Sequence, residues 1–149
     1  MMTDAGEFAA AFVALYVAHQ VGDHWIQTCA QAERKGEPGW PGRLACARHV
    51  ATYTATGLIA LLAVAWPTSL HLHPGTLAAG LAVSAATHYL ADRRTPLRRL
   101  ADLLGASQFW TLGQPRPGRD DNPSLGTGAY ALDQSWHIAW LLVAALIIT

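Results

Sequence analysis

Three polar pairs carry the chemistry that this sequence offers. They are His19-x-x-x-Asp23, His88-x-x-x-Asp92 and, in reverse order, Asp133-x-x-x-His137. On a helix, i,i+4 spacing puts both members of a pair on one face. Imidazole nitrogen and carboxylate oxygen suit Zn, Fe, Mn or Ni better than a soft thiolate-bound metal. His49 adds a further imidazole, and seven candidate ligands exceed what one tetrahedral ion takes, so the set could hold two. A bound ion of this kind makes hydroxide available near neutral pH.

These pairs need elements to hold them. Each sits at the end of an apolar, Ala-rich stretch, and four such stretches predict spans at about 8–28, 44–66, 76–92 and 131–149. Their lengths match a bilayer span. The composition agrees: 52% hydrophobic and only 13% charged, against roughly 25% charged in a soluble domain. One domain accounts for the whole chain, 1–149. Thr95-Pro96 reads as a helix cap with Pro at the first position, and Leu97, Leu100, Leu103 and Leu104 then alternate with Arg98, Arg99 and Asp102. That predicts a short amphipathic helix over about 96–104, lying at the lipid surface. Residues 107–128 are Pro/Gly-rich without period and are expected to form a long cytoplasmic loop. The predicted fold is therefore all-α: a polytopic membrane four-helix bundle with one interfacial helix and one long loop.

All lysines and arginines fall in two regions, Arg34 to Arg48 and Arg93 to Arg119. The N-terminus, the Pro67–Gly75 turn and the C-terminus have none. By the positive-inside rule both basic regions are cytoplasmic and both termini lie outside. Segments one and three then run towards the cytoplasm, and segments two and four away from it. The order of each pair follows: His19, His88 and His137 all lie deeper than their aspartates, each roughly 18 Å from the outer boundary at 1.5 Å per residue. A layer of histidines under a layer of carboxylates, facing the cytoplasm, is the expectation. His49 enters the same half of the membrane.

Other polar residues read differently. Gln27 and Gln134 are expected to hydrogen-bond behind the ligands, and His24, about 100° round from Asp23, to sit at the interface. His71 and His73 belong on the opposite side. Asp120 and Asp121 are loop charges within reach of Arg116 and Arg119. Trp25, Trp40, Trp66, Trp110 and Trp136 suit interface anchoring. Arg93, Arg94, Arg98 and Arg99 set topology, and anionic-lipid or phosphate contact is their sharper reading. Cys29 and Cys46 do not form a C-x-x-C motif and, on the reducing side, are expected to stay unpaired. Acidic Asp4 and Glu7 do not suit a signal peptide.

At His19-Gln-Val-Gly-Asp23-x-x-x-Gln27, His49, His88-Tyr-Leu-Ala-Asp92 and Asp133-Gln134-x-x-His137, the chain resembles a family of small bacterial membrane proteins, domain of unknown function 3307. The resemblance spans nearly the whole chain and implies a helical integral membrane protein, with no activity attached. This sequence differs in His24-Trp25 and in a long segment between Arg94 and Asp133.

The leading expectation is a membrane-embedded hydrolase of the bacterial cytoplasmic membrane. His19, Asp23, His49, His88, Asp92 and His137 would hold a divalent metal, Zn before Fe or Mn, with Asp133 as general base or ligand. The substrate would be lipid-linked or a membrane protein. A non-enzymatic scaffold whose pairs lock the helices is the alternative. A proton or metal-ion transporter is another, disfavoured by the apolar outer halves of the segments. With net charge zero, nucleic acid is not expected as a partner; membrane lipids are, and a homo-oligomer is compatible with so short a chain.

Overall fold

The computed structural model describes residues 4–115 and 126–149; Arg116, Arg119, Asp120 and Asp121 lie outside them. The described residues are helical, with no strand among them. Helix α1 (Ala5–Val21) continues into a π-helical turn over Gly22–Ile26. Then come α2 (Cys29–Arg34), α3 (Gly39–Thr68), α4 (Pro74–Asp92), α5 (Thr95–Leu103), α6 (Ser107–Trp110) and α7 (Gly128–Ile148).

Local chemistry explains the starts. Asp4 Oδ1 accepts from the backbone N–H groups of Gly6 and Glu7 at 2.9 and 3.0 Å. Thr28 and Gln31 form a reciprocal capping box that opens α2, satisfying two otherwise orphaned donors. His73 caps α4, with Pro74 at its first position, and Thr127 Oγ1 accepts from Tyr130 N to start α7. Residues 31–43 thus hold the end of α2 and the start of α3. Helix α5 begins at Thr95 itself, so Arg94, not Thr95, occupies its cap position and caps through no side-chain bond. Arg94 takes φ +59° to turn the chain sharply out of α4, a backbone region a long L side chain rarely adopts.

The four long helices pack in a ring: α1 touches α3 and α7, and α4 touches the same two, without backbone contact across either diagonal. The centre is filled by small residues and a few large ones: Ala11, Ala14, Leu15, Leu61, Leu141, Ala144 and Ile148 are buried. Close approach depends on the small ones. A Cβ on Gly80 would lie 2.5 Å from Ile148 Cγ1 and 2.8 Å from the Ala144 carbonyl oxygen, so α4 and α7 meet at this spacing because position 80 has no side chain. The outside is apolar instead: Val13, Val17, Ile59, Leu62, Leu142 and Leu146 are exposed, and Ile59 is 67% so.

Two helices, α3 and α7, are long and apolar enough to cross a membrane. The four spans expected from sequence are therefore met by length and hydropathy in two cases. Helix α1 has 17 residues before its π-helical turn, about 25 Å. Helix α4 has 19 residues but carries Ser84, Thr87, His88 and Asp92, which lower its mean hydropathy. Helix α1 is thus set apart by its length and α4 by its polar residues.

Helix α5 folds back beside α4 and α7. Arg98 Nε donates to both Asp102 oxygens at 3.0 Å, and Ser107 Oγ donates to one of them at 2.7 Å. These bonds, that of Arg98 first, hold the Asp102 carboxyl below its ordinary pKa. Arg98 also stacks over Trp110.

Candidate metal centre

The three pairs converge. His19, His49, His88 and His137 are all buried, and so is Asp92. The His19 and His137 rings stack with centroids 4.9 Å apart, His88 lies 4.3 Å from His137, and His49 lies 5.0 Å from His88. Four atoms from three elements meet at the centre. His49 Nε2 is 3.0 Å from His88 Nε2, 3.3 Å from Asp23 Oδ1 and 3.3 Å from Asp92 Oδ2. His88 Nε2 is 3.5 Å from Asp23 Oδ1 and 3.3 Å from Asp92 Oδ2.

Five of the six edges of this tetrad therefore lie between 3.0 and 3.5 Å. Ligands at ~2.0–2.1 Å from a tetrahedral zinc are separated by roughly 3.3–3.4 Å. Within this set His49, His88 and Asp92 bring their ligand atoms within 4.8 Å of one another, close enough to share a divalent ion.

The hydrogen-bond inventory points to the same residues, with Asp23 Oδ1 and Asp92 Oδ2 of the tetrad unpartnered and, at His49 and His88, Nδ1 rather than Nε2. Among the described residues, the buried side-chain N and O atoms without a partner belong to His19, Asp23, Gln27, His49, His88, Asp92 and His137. Buried polar groups are ordinarily satisfied, and a concentration of exceptions calls for an occupant or a function. Each of these residues was singled out by the sequence.

Three groups of side chains have ligand atoms within 4.8 Å of one another: His19, Asp23 and His88; His49, His88 and Asp92; and Asp92, Asp133 and His137. In the last group, His137 Nδ1 donates to the Asp133 backbone carbonyl at 2.8 Å. That bond turns Nε2 inwards, the usual orientation of a ligating imidazole whose other nitrogen is held by a carbonyl. The Asp133 carboxylate lies 3.5 Å from the same ring and accepts from Gln134 Nε2 at 3.2 Å. Gln134 Oε1 lies 3.2 Å from His19 Nε2, so this glutamine links α7 to α1 behind the tetrad. The buried Gln27 amide nitrogen has no partner, and no contact assigns that residue to the site.

Elements aim these groups in ways that spacing alone did not indicate. The π-helical turn widens α1 at Asp23, a distortion found mostly at functional sites. It lets Oδ2 stay 3.5 Å from His19 Nδ1 while Oδ1 reaches across to α3 and α4. Lys35, the only lysine in the chain, places Nζ 2.7 Å from Asp92 Oδ1. Arg93 fixes that approach by donating to the carbonyls of Lys35 and Glu37, and Arg94 donates to that of Ala32. The inward turn of Arg93 and the Arg98–Asp102 pairing give these two arginines protein partners, while Arg99 is exposed. Sequence reasoning also missed Tyr53, whose ring centroid is 3.9 Å from that of His88 and whose hydroxyl lies 2.8 Å from Ser84 Oγ.

The remaining residues are peripheral. His24 is exposed, and its Nδ1 donates to the Gln20 carbonyl. His71 pairs with Glu7 at the opposite end, 2.7 Å apart. Trp25, Trp40 and Trp66 are exposed. Cys29 and Cys46 are both free thiols.

A cavity of about 230 Å³ reaches the centre at Asp92 and Asp133, lined also by Lys35, Arg94, Trp110 and Tyr130 among others. It gives the site a mouth at the basic end of the ring. Beyond the Tyr53–Ser84 contact, the buried residues described include the apolar Leu15, Leu61, Leu141 and Ile148.

Comparison with curated proteins finds no match, and neither does comparison with solved structures. The family profile described as Protein of unknown function (DUF3307) matches residues 11–149, which include every residue of the centre. The chain belongs to that family.

Proposed function

We propose that this is a four-span integral protein of the bacterial cytoplasmic membrane whose His/Asp centre binds a divalent metal, zinc before iron or manganese, and serves a hydrolase. The observation that carries the metal reading is the set His49, His88, Asp23 and Asp92, in which both imidazoles lie 3.0–3.5 Å from each other and from both carboxylates. His19, His137 and Asp133 complete the donor set for a second ion, with Asp92 common to both groups.

The membrane reading rests on the apolar outside. Besides the buried core, large aliphatic side chains such as Val13, Val17, Ile59, Leu62, Leu142 and Leu146 face outwards, an exposed apolar belt that a soluble monomer rarely carries. Helix contacts through Gly and Ala suit association in lipid. Lys35, Arg93 and Arg94 lie at the end that bears the site, and Glu7 and His71 lie at the other. Cytoplasmic placement of the site and external termini follow from that asymmetry.

A bound divalent ion would supply Lewis acidity at neutral pH. The chain's own groups supply the rest. Asp133, with 29% of its side chain exposed, reaches the cavity and can take a proton from water there. Gln134 holds one oxygen of that carboxylate by donating to it, leaving the other for the proton. Lys35 holds Asp92 from the far side. The apolar wall below Tyr53 keeps bulk water out of the histidine layer.

A second reading is a scaffold whose pairs only lock helices. It draws on the links between elements, His19 to Gln134 and His49 to Asp92. Metal analysis by mass spectrometry on chelator-free, detergent-purified protein separates the two. Stoichiometric metal in the wild type, lost in the His88→Ala/His137→Ala double variant, is expected. Absence of metal from the wild type even after reloading would leave the scaffold reading.

A further inference from the structure

The cavity above the centre does not end at its polar lining. Leu97 and Ala91 line it and also line a smaller cavity between α4 and α5. Leu97, Leu100 and Trp136 in turn line a groove of about 260 Å³ between α5 and α7, together with Leu104, Leu132 and Ala139 among others. Among the described residues, three adjoining cavities that share wall residues therefore lie in line from Asp92 and Asp133 to the outer flank of α7. One end is charged and the other apolar. Trp136 holds the junction, its indole N–H donating to the Thr87 carbonyl at 3.1 Å.

Charge distinguishes the occupant. Asp23, Asp92 and Asp133 set three negative charges against those of Lys35 and Arg94, so the site alone is net negative by one. A divalent ion in the tetrad reverses the sign and leaves an anion-accepting mouth beside two side-chain cations. Ammonium and guanidinium groups around a metal are the usual setting for phosphate.

We propose that this site binds a phosphorylated amphiphile, its phosphate in the cavity beside Asp92 and Asp133 and its hydrocarbon chain along the groove between α5 and α7. The proposal rests on the metal reading above and names the ligand class of that centre. The groove gives the chain an apolar bed continuous with lipid, so the molecule enters sideways and its headgroup reaches the metal layer without leaving the interface. A free phosphate would use the cavity and leave the groove empty.

The test is calorimetric titration of zinc-loaded, detergent-purified full-length protein, with metal content measured in parallel. The probes are dihexanoyl phosphatidic acid, inorganic phosphate and dihexanoylglycerol. The wild type should bind the phosphatidic acid at least about ten-fold more tightly than either of the others, because only it uses both cavity and groove. Ala139→Trp and Ala106→Phe, which fill the groove from two elements, should abolish the advantage over phosphate while keeping zinc. Equal binding of phosphatidic acid and phosphate by the wild type overturns the proposal, as does undiminished lipid preference in both variants. A wild type that takes up no zinc removes the metal reading and this inference together. Zinc uptake without lipid preference removes this inference alone.

Discussion

Asp92→Asn is expected to abolish stoichiometric metal binding while leaving the helix ring folded. Asp92 is the residue most shared within the centre: Oδ2 lies 3.3 Å from both His49 and His88, and Oδ1 lies 2.7 Å from Lys35. Asparagine preserves shape and can still accept hydrogen bonds, but it removes the charge. With or without an ion, this replacement leaves Lys35 without its charged partner and should cost roughly 3–5 kcal/mol in chelator, so metal content, not stability, separates the two readings. If the cluster holds an ion, one of its two central carboxylates is gone. Affinity should then fall by more than the roughly 10–100-fold typical for loss of a supporting residue. Gln134→Ala is the companion variant. It removes the bridge from Asp133 to His19 and should show that smaller loss. Equal metal content in wild type and Asp92→Asn would sink the metal account.

Chelation of the wild type is expected to lower its thermal midpoint by roughly 8–16 °C. Three carboxylates share this region with one ammonium group in direct contact, that of Lys35. An ion that binds the folded state at about a thousand times its dissociation constant adds about 4 kcal/mol. For a chain of this size each kcal/mol moves the midpoint by roughly 2–4 °C. The shift should be recovered by adding zinc and should be absent in Asp92→Asn. Paired scans in detergent, with and without chelator, make the measurement. Coincident midpoints for the wild type would mean that the carboxylates are stabilised by the protein alone.

The pairs were legible because i,i+4 spacing on a helix is a local property, and the helices that carry them have clear apolar runs. Their convergence was legible too, since reversal of the third pair compensates for the reversed direction of α7. What could not be read required tertiary contacts. Gly22 marks the π-helical turn only because a Cβ there would meet the Tyr53 ring at 3.3 Å; in sequence it is one glycine among thirteen. Lys35 reaches Asp92 once Arg93 has bound the carbonyls at the end of α2, a link across more than fifty residues. Helix α2 did leave a signal in Thr28-x-x-Gln31, a capping box obscured by the Gly- and Pro-rich stretch that follows. The number of spans was harder to read for two physical reasons: the π-helical turn ends α1 after 17 residues, and the polar site residues of α4 reduce the hydropathy by which a span is recognised.

X-ray absorption spectroscopy of the zinc-loaded wild type tests the central claim most directly. The tetrad predicts nitrogen and oxygen neighbours alone, at about 2.0–2.1 Å, with the outer scattering of imidazole. A sulfur neighbour at about 2.3 Å would place the ion at a thiol such as the buried Cys46. That result, or a sample that retains no zinc, would contradict the assignment of the His/Asp cluster as a metal centre.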